Sequence, residues 1–435
     1  MIIIPWLVAG VVSLMSGGAV PVSHPRTEVR PVPAAALRAE QGPALRTWAG
    51  TGGAHGREPG TDPIVIGHRG ACAYRPEHTL LSYEKAIEMG ANYIEPDLVS
   101  TKDHVLVARH ENEISRTTDV ARHKEFASRR TTKVIDGKTV TGWFTEDFTL
   151  AELLTLRAVE RRPRLRPESS AYDRLAPIAT FDEVVALAKR SGVGVYAETK
   201  HSSYFASIGL PLEEPMLATL DKYGWREKTD PVYIQSFETA NLRALRARTH
   251  IRLVQLLEAK GAPRDLAAAG DRRTYRDLAT PEGLREIATY ADGIGVPTRL
   301  VLPQDKHGTL REPTSLVEDA HDAGLTVHVW TVRPENVNLP ADFRVGDPRE
   351  PGYERAHGDV EGWLRRLYGL DVDGVFADDP GVAARVRDAV AGSDAEPGDT
   401  AGTGDEAGEA EETDAEADGE THEVVTGGTT EGDDE

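Results

Sequence analysis

One pattern recurs from residue 62 to residue 390: a short apolar run rich in Val and Ile, a polar or glycine break, then a stretch with apolar residues at helical spacing. Runs that read as strands occupy residues 64–68, 93–98, 105–110, 193–200, 232–235, 252–257, 291–296, 326–330 and 374–377. Their near-continuous apolarity suits strands covered on both faces, as in parallel sheets. The intervening stretches carry helix signals. Leu80, Leu81, Ala86, Ile87 and Met89 form a stripe that Gly90 would end, and Thr180-Phe181-Asp182-Glu183 opens a helix with a capping-box pattern that Gly192 closes. Such alternation leaves a closed α/β barrel or an open doubly wound sheet. The barrel fits better: reactive residues of barrels lie at C-terminal strand ends, where His68, Arg69, His110, Glu198, Lys200, Gln235 and Trp330 fall in this sequence.

Nine runs compete for the eight places of a (β/α)8 TIM-type barrel, so one of them lies outside it or is not a strand. The link from Asp97 to Val105 is shorter than the roughly dozen residues of a helical crossover, so the run at 105–110 must be joined by a hairpin-like or irregular connection. Residues 111–150 are polar and turn-rich, and Asp136-Gly137 reads as the turn of a small hairpin in an inserted loop.

The ends differ from this middle. Residues 391–435 hold seventeen Asp or Glu and no Lys or Arg, a composition that reads as a disordered acidic tail and accounts for most of the net charge of −21. What remains is only mildly acidic, and no basic patch points to nucleic acid. Residues 1–20 carry an apolar run, Ile2 to Met15, followed by small residues. That pattern reads as a signal segment without its basic region and predicts a secreted or extracytoplasmic, envelope-associated protein whose membrane contact is at most an uncleaved leader. Residues 21–61 read as a linker and residues 62–390 as one barrel domain. Cys72, the only cysteine, reads as a small packed residue in the Gly70-Ala71-Cys72-Ala73 turn. Oligomeric state is open at this point.

The densest chemistry lies at residues 64–119. His68 and Arg69 follow the first apolar run, Glu95 and Asp97 share a face of the second by alternation, and His110 ends the third. Two histidines, an arginine and a carboxylate pair near strand ends are the parts of a metal-assisted acid/base site. Glu198 and Lys200 end the fourth run two residues apart, also on one face.

In order along the chain stand His-Arg-Gly, Pro-Glu-His-Thr-Leu, Glu-x-Asp-Leu, a strand-final His, Glu-x-Lys, Gln-x-Phe, Asp-Gly-Ile-Gly, Trp-Thr-Val and Asp-Gly-Val-Phe. This series resembles the glycerophosphodiester phosphodiesterases, most of all their exported bacterial branch, over residues 62–390. The resemblance implies a barrel enzyme that cleaves glycerol phosphodiesters with two histidines and a divalent cation. Carried over by position, it implies His68 and His110 as the acid/base pair, Glu95, Asp97 and Glu198 as metal ligands, and Arg69 and Lys200 as phosphate contacts. Gln235, Phe237 and Trp330 would complete the substrate pocket. Glu111 departs from the aspartate common after the second histidine. The other histidines, His78 and His328 among them, read as structural.

Three carboxylates and no cysteine favour a hard cation, Ca²⁺ before Mg²⁺. Such an ion leaves the ligand set at a net negative charge, so an anionic phosphodiester needs Arg69 and Lys200. Two histidines can hold one neutral and one protonated member near pH 7. The implied reaction has the glycerol 2-hydroxyl attack phosphorus, the alcohol leave, and water open a cyclic phosphate to glycerol 3-phosphate. Two other substrates would suit an exported barrel of this kind: poly(glycerol phosphate) wall teichoic acid attacked from its end, and lysophospholipids cleaved in phospholipase D fashion.

Overall fold

A computed structural model describes residues 62–393. The expected signal segment, the linker and residues 394–435 of the tail lie outside the described residues. The strands in chain order are β1 (Ile64–His68), β2 (Tyr93–Glu95), β3 (Asp97–Ser100), β4 (Leu106–Ala108), β5 (Thr131–Ile135), β6 (Lys138–Gly142), β7 (Gly194–Thr199), β8 (Val232–Ser236), β9 (Arg252–Leu256), β10 (Gly293–Pro297), β11 (Thr326–Val332) and β12 (Gly374–Ala377). Eight of them, β1, β2 and β7 to β12, pair in parallel around a closed ring in which β12 returns to β1. Helices follow most of these strands, which makes the expected (β/α)8 barrel.

The surplus ninth run is the one at 105–110. It shortens to β4 and pairs antiparallel with β3, outside the ring, as its short connection demands. Pro96 separates β2 from β3 because proline has no N–H to give the ladder, yet Asp97 still pairs in parallel register with Glu198 on β7. β5 and β6 form the inserted hairpin, whose turn residues Asp136 and Gly137 both have positive φ, 48° and 82°.

Side-chain alternation decides what enters the lumen. On β1, Ile64 and Ile66 join a small inner cluster with Tyr93, Tyr196, Tyr233, Val254 and Phe376, whereas Val65 faces the larger core beneath the helices. Tyr196 and Tyr233 stack with centroids 4.8 Å apart and close the barrel floor. Counting on by two from these floor residues gives His68 on β1, Glu95 on β2, Glu198 on β7, Gln235 on β8 and Asp378 just past β12. One parity rule thus sends floor aromatics and mouth polar groups to the same interior.

The helices are built to cover the outside. Phe181–Ser191 opens on a complete Thr180/Glu183 capping box, ends at Gly192 with φ 69°, and buries Phe181, Val184, Val185, Leu187 and Ala188 against the barrel. Full burial of each large apolar side chain contributes about 1.5–3 kcal/mol. The last helix, Pro380–Ser393, starts directly after the Asp378-Asp379 pair that follows β12.

Candidate active site

At the C-terminal mouth, β1 delivers His68 and then turns sharply. Arg69 takes φ 57° and Gly70 φ 95°, and a Cβ on Gly70 would lie 2.3 Å from Ser82 Oγ, so only glycine passes there. The turn leaves the Arg69 N–H donating to Glu95 Oε2 at 2.7 Å. Gln235 Nε2 donates to the other Glu95 oxygen at 3.1 Å.

Glu95, Asp97 and Glu198 gather with their candidate ligand atoms within 4.8 Å of one another, the three residues only 2%, 1% and 4% exposed. Lys200 Nζ lies 2.8 Å from Glu198 and 3.6 Å from Asp97 Oδ1. The fully buried His78 bonds Asp97 Oδ2 through Nε2 and the Tyr83 hydroxyl through Nδ1, each at 2.8 Å. Burial pushes Glu198 up to about 8, with Asp97 adding to the rise and Lys200 opposing it. Glu95 is raised well above the carboxylate range by burial together with Asp97 and Glu198. Burial opposes ionisation of Asp97 too, but Lys200 and His78 hold it well below the usual range. Asp97 Oδ1 accepts no hydrogen bond among the described residues. A buried, all-oxygen cluster in which Glu95 and Glu198 resist ionisation and Asp97 keeps an acceptor without a hydrogen bond fits a hard divalent cation, for which these three carboxylates could serve as ligands.

His68 Nδ1 lies 2.6 Å from Asp378 Oδ1, and His110 Nδ1 lies 2.7 Å from Glu111 Oε1. A carboxylate at Nδ1 selects the tautomer that leaves Nε2 as the proton-accepting nitrogen. Burial, with Arg69 adding to it, lowers His68 to about 4 despite Asp378. Burial, then Arg69 and Lys200, lowers His110 to about 3 despite Glu111. Both shifts favour the neutral ring in the free protein. His110 also follows β4 in a bend rather than ending it, since β4 stops at Ala108.

The remaining expected residues surround this centre. Arg69 Nη1 lies 3.3 Å from Glu77 and its Nε 3.8 Å from Asp97. Lys200 Nζ stands 5.6 Å over the Phe237 ring, and Phe237 meets Trp330 edge-on at 6.0 Å and Tyr275 at 6.2 Å. These rings make an apolar wall beside the carboxylates. Cys72 is buried against Arg166, and burial raises its thiol well above the usual value, which suits packing rather than thiolate chemistry.

Several groups were not legible as functional. His78 carries the strand-loop sequence Pro-Glu-His-Thr but no sign of its bond to Asp97. Asp378 had the better signal, since it directly follows the last strand on lumen parity. Arg161 and Arg166 sit in an arginine-heavy irregular stretch, and their partners Glu77, Glu111, Glu335 and Asp378 lie 50 to 212 residues away.

A family model described as the glycerophosphoryl diester phosphodiesterase family matches residues 68–382. Glycerophosphodiester phosphodiesterase GDPD6 of Arabidopsis thaliana is 34% identical over 330 residues, 73% of this chain and 83% of its own. The glycerophosphodiester phosphodiesterase of Bacillus subtilis strain 168 is 31% identical over 282 residues, 62% of this chain and 77% of its own. Among solved structures, a candidate glycerophosphoryl diester phosphodiesterase from Silicibacter pomeroyi DSS-3 has the same fold, with a TM-score of 0.53 at 21% identity over 78% of this chain and 96% of that one. An Oleispira antarctica phosphodiesterase in complex with the product sn-glycerol-3-phosphate aligns with a TM-score of 0.50 at 19% identity, covering 75% and 97%.

Proposed function

The chain belongs to the glycerophosphoryl diester phosphodiesterase family, and on that premise we propose that it hydrolyses glycerophosphodiesters to glycerol 3-phosphate and an alcohol, with His68 and His110 as acid and base. Glu95, Asp97 and Glu198 would hold a divalent cation, Ca²⁺ before Mg²⁺ for an all-oxygen set. The observation that carries this reading is the conjunction at one barrel mouth of two carboxylate-backed imidazoles with a buried three-carboxylate cluster.

The cation, when bound, would supply positive charge against the developing charge on phosphorus oxygens. Arg69 and Lys200 offset the surplus negative charge of the ligand set, Arg69 with a planar fork and Lys200 with a compact charge. One imidazole takes the proton of the glycerol 2-hydroxyl as its oxygen bonds to phosphorus. The bond to the leaving alcohol breaks, and the second imidazole delivers a proton to that oxygen. The anionic diester beside both rings raises their proton affinity, which favours the protonated form that the acid step needs. Water then opens the cyclic phosphate, and the net consumption is one water per diester. Each proton-transfer group accounts for roughly a hundredfold to ten-thousandfold in rate, and the intramolecular hydroxyl gains from proximity. Phe237 and Trp330 wall the pocket, and Gln235 steadies Glu95.

The test follows glycerophosphocholine by phosphorus NMR with Ca²⁺, with Mg²⁺ and with EDTA. Glycerol 3-phosphate formed with a divalent cation and lost with EDTA is expected. Full turnover in EDTA would remove the cation from the scheme, and cleavage on the glycerol side, giving phosphocholine and glycerol, would remove the 2-hydroxyl attack.

A further inference from the structure

Each histidine–carboxylate pair is held by an arginine, and both arginines come from one short segment. Arg161 straddles two carboxylates. Its Nε and Nη2 donate to Glu77 at 2.9 and 2.6 Å, and its Nη1 and Nη2 donate to Glu111 at 2.6 and 2.7 Å. Glu111 is the residue at His110 Nδ1. Arg166 donates to Asp378 Oδ2 while the other Asp378 oxygen holds His68, and it is itself anchored to Glu335 Oε1 at 2.6 Å and to the Cys72 carbonyl at 3.0 Å.

We propose that the segment from Arg161 to Arg166 positions both imidazoles at once, Arg161 through Glu111 and Arg166 through Asp378. The inference rests on the two-histidine reading and adds to it two positioning residues. A carboxylate bonded only to an imidazole can still rotate about its own axis. Here the second oxygen of each carboxylate is taken by a guanidinium, so the carboxylate plane, and with it the ring direction, is fixed. The side chains of Arg161 and Arg166 are only 11% and 8% exposed, so the pairs lie where desolvation is expensive and where apolar packing would serve stability as well or better. Arg161 also shares Glu77 with Arg69, which ties the phosphate-facing arginine to the same segment. His68 ends β1 in the ring and His110 follows β4 outside it, and this segment bonds to the carboxylate partners of both.

The experiment uses the full chain with Ca²⁺ and glycerophosphocholine, and compares Arg161→Ala, Arg161→Lys, Arg166→Ala and Arg166→Lys with His68→Ala and His110→Ala. Arg243→Ala, which removes an exposed pair with Glu286 on the outside of the barrel, is the control. The expected result is a kcat reduced roughly 10–100-fold in each Arg161 and Arg166 variant with KM little changed. Dilute guanidinium should restore part of kcat to the alanine variants and none to the histidine variants. If an alanine variant fails to fold, its lysine counterpart, which keeps charge but not the fork, decides the matter. Unchanged kcat in the arginine variants beside inactive histidine variants overturns the positioning role alone. Fully active histidine variants overturn the underlying reading instead.

Discussion

His68 and Asp378 are 310 residues apart in sequence, and their side chains meet at 2.6 Å because β1 and β12 are neighbours at the seam where the barrel closes. On the proposed reading, the seam is part of the chemistry. Asp378→Asn keeps the shape but loses the negative charge that selects the His68 tautomer. By analogy with carboxylate-backed histidines elsewhere, kcat should fall by roughly 10²–10⁴ with KM little affected. Steady-state kinetics on glycerophosphocholine checks this, and an unchanged kcat would mean His68 needs no partner.

The carboxylate cluster makes a prediction about stability rather than rate. Burial raises Glu198 to about 8, above its unfolded value, so the folded state binds more protons between those limits and the cation-free protein loses stability as pH rises from the carboxylate range towards 8. A divalent cation should reverse this, adding about 2.7 kcal/mol at a hundredfold excess over its Kd. Glu198→Gln should stabilise the cation-free protein at pH 8 and abolish the gain from Ca²⁺. Thermal melts with Ca²⁺ and with EDTA read both effects, and an equal Ca²⁺ shift in wild type and variant would remove Glu198 from the ligand set.

His78 reads as structural from sequence, and in the fold it bonds Asp97 from complete burial. Partners of this kind are worth about 10–100-fold in metal affinity. His78→Gln should therefore raise the Ca²⁺ concentration for half-maximal activity by a factor in that range, measured by titration into the EDTA-stripped protein. An unshifted titration would leave the His78–Asp97 bond without a role in cation binding.

How much the sequence disclosed follows from the range of each signal. Periodicity found the eight barrel strands, the hairpin at Asp136-Gly137 and the capped helix at Thr180, because those are decided by residues close in the chain. Strand-end position and order gave His68, Glu95, Asp97 and Glu198, and lumen parity explains why the strand residues among them converge. The same local reasoning cannot see that Arg161 reaches Glu77, 84 residues away, or that Arg166 reaches Asp378, 212 residues away. Nor could composition foresee that burial beside Arg69 lowers the proton affinity of both His68 and His110.

The barrel interior also sets an acid limit. His328, bonded to the Tyr196 hydroxyl at 2.7 Å, is lowered by burial to about 4. Unfolded, it would titrate near its ordinary 6.5, so between those values the unfolded state binds more protons and stability rises with pH. The contribution is fully present above about 6.5 and is lost towards pH 4, amounting to at most about 3 kcal/mol. His328→Gln should flatten the denaturant-measured stability profile over that window relative to wild type. Parallel profiles would show that another group sets the acid limit.

Two carboxylate-backed imidazoles, one acting as base and one as acid, and a carboxylate-held cation at one barrel mouth are proposed to hydrolyse glycerophosphodiesters. The most direct test is the initial rate of glycerol 3-phosphate release from glycerophosphocholine by wild type, His68→Ala and His110→Ala, each with saturating Ca²⁺ and with EDTA. The account predicts turnover only in wild type with the cation, and a loss of at least roughly a hundredfold in each histidine variant. Wild-type rates in His110→Ala, or in EDTA, would contradict it.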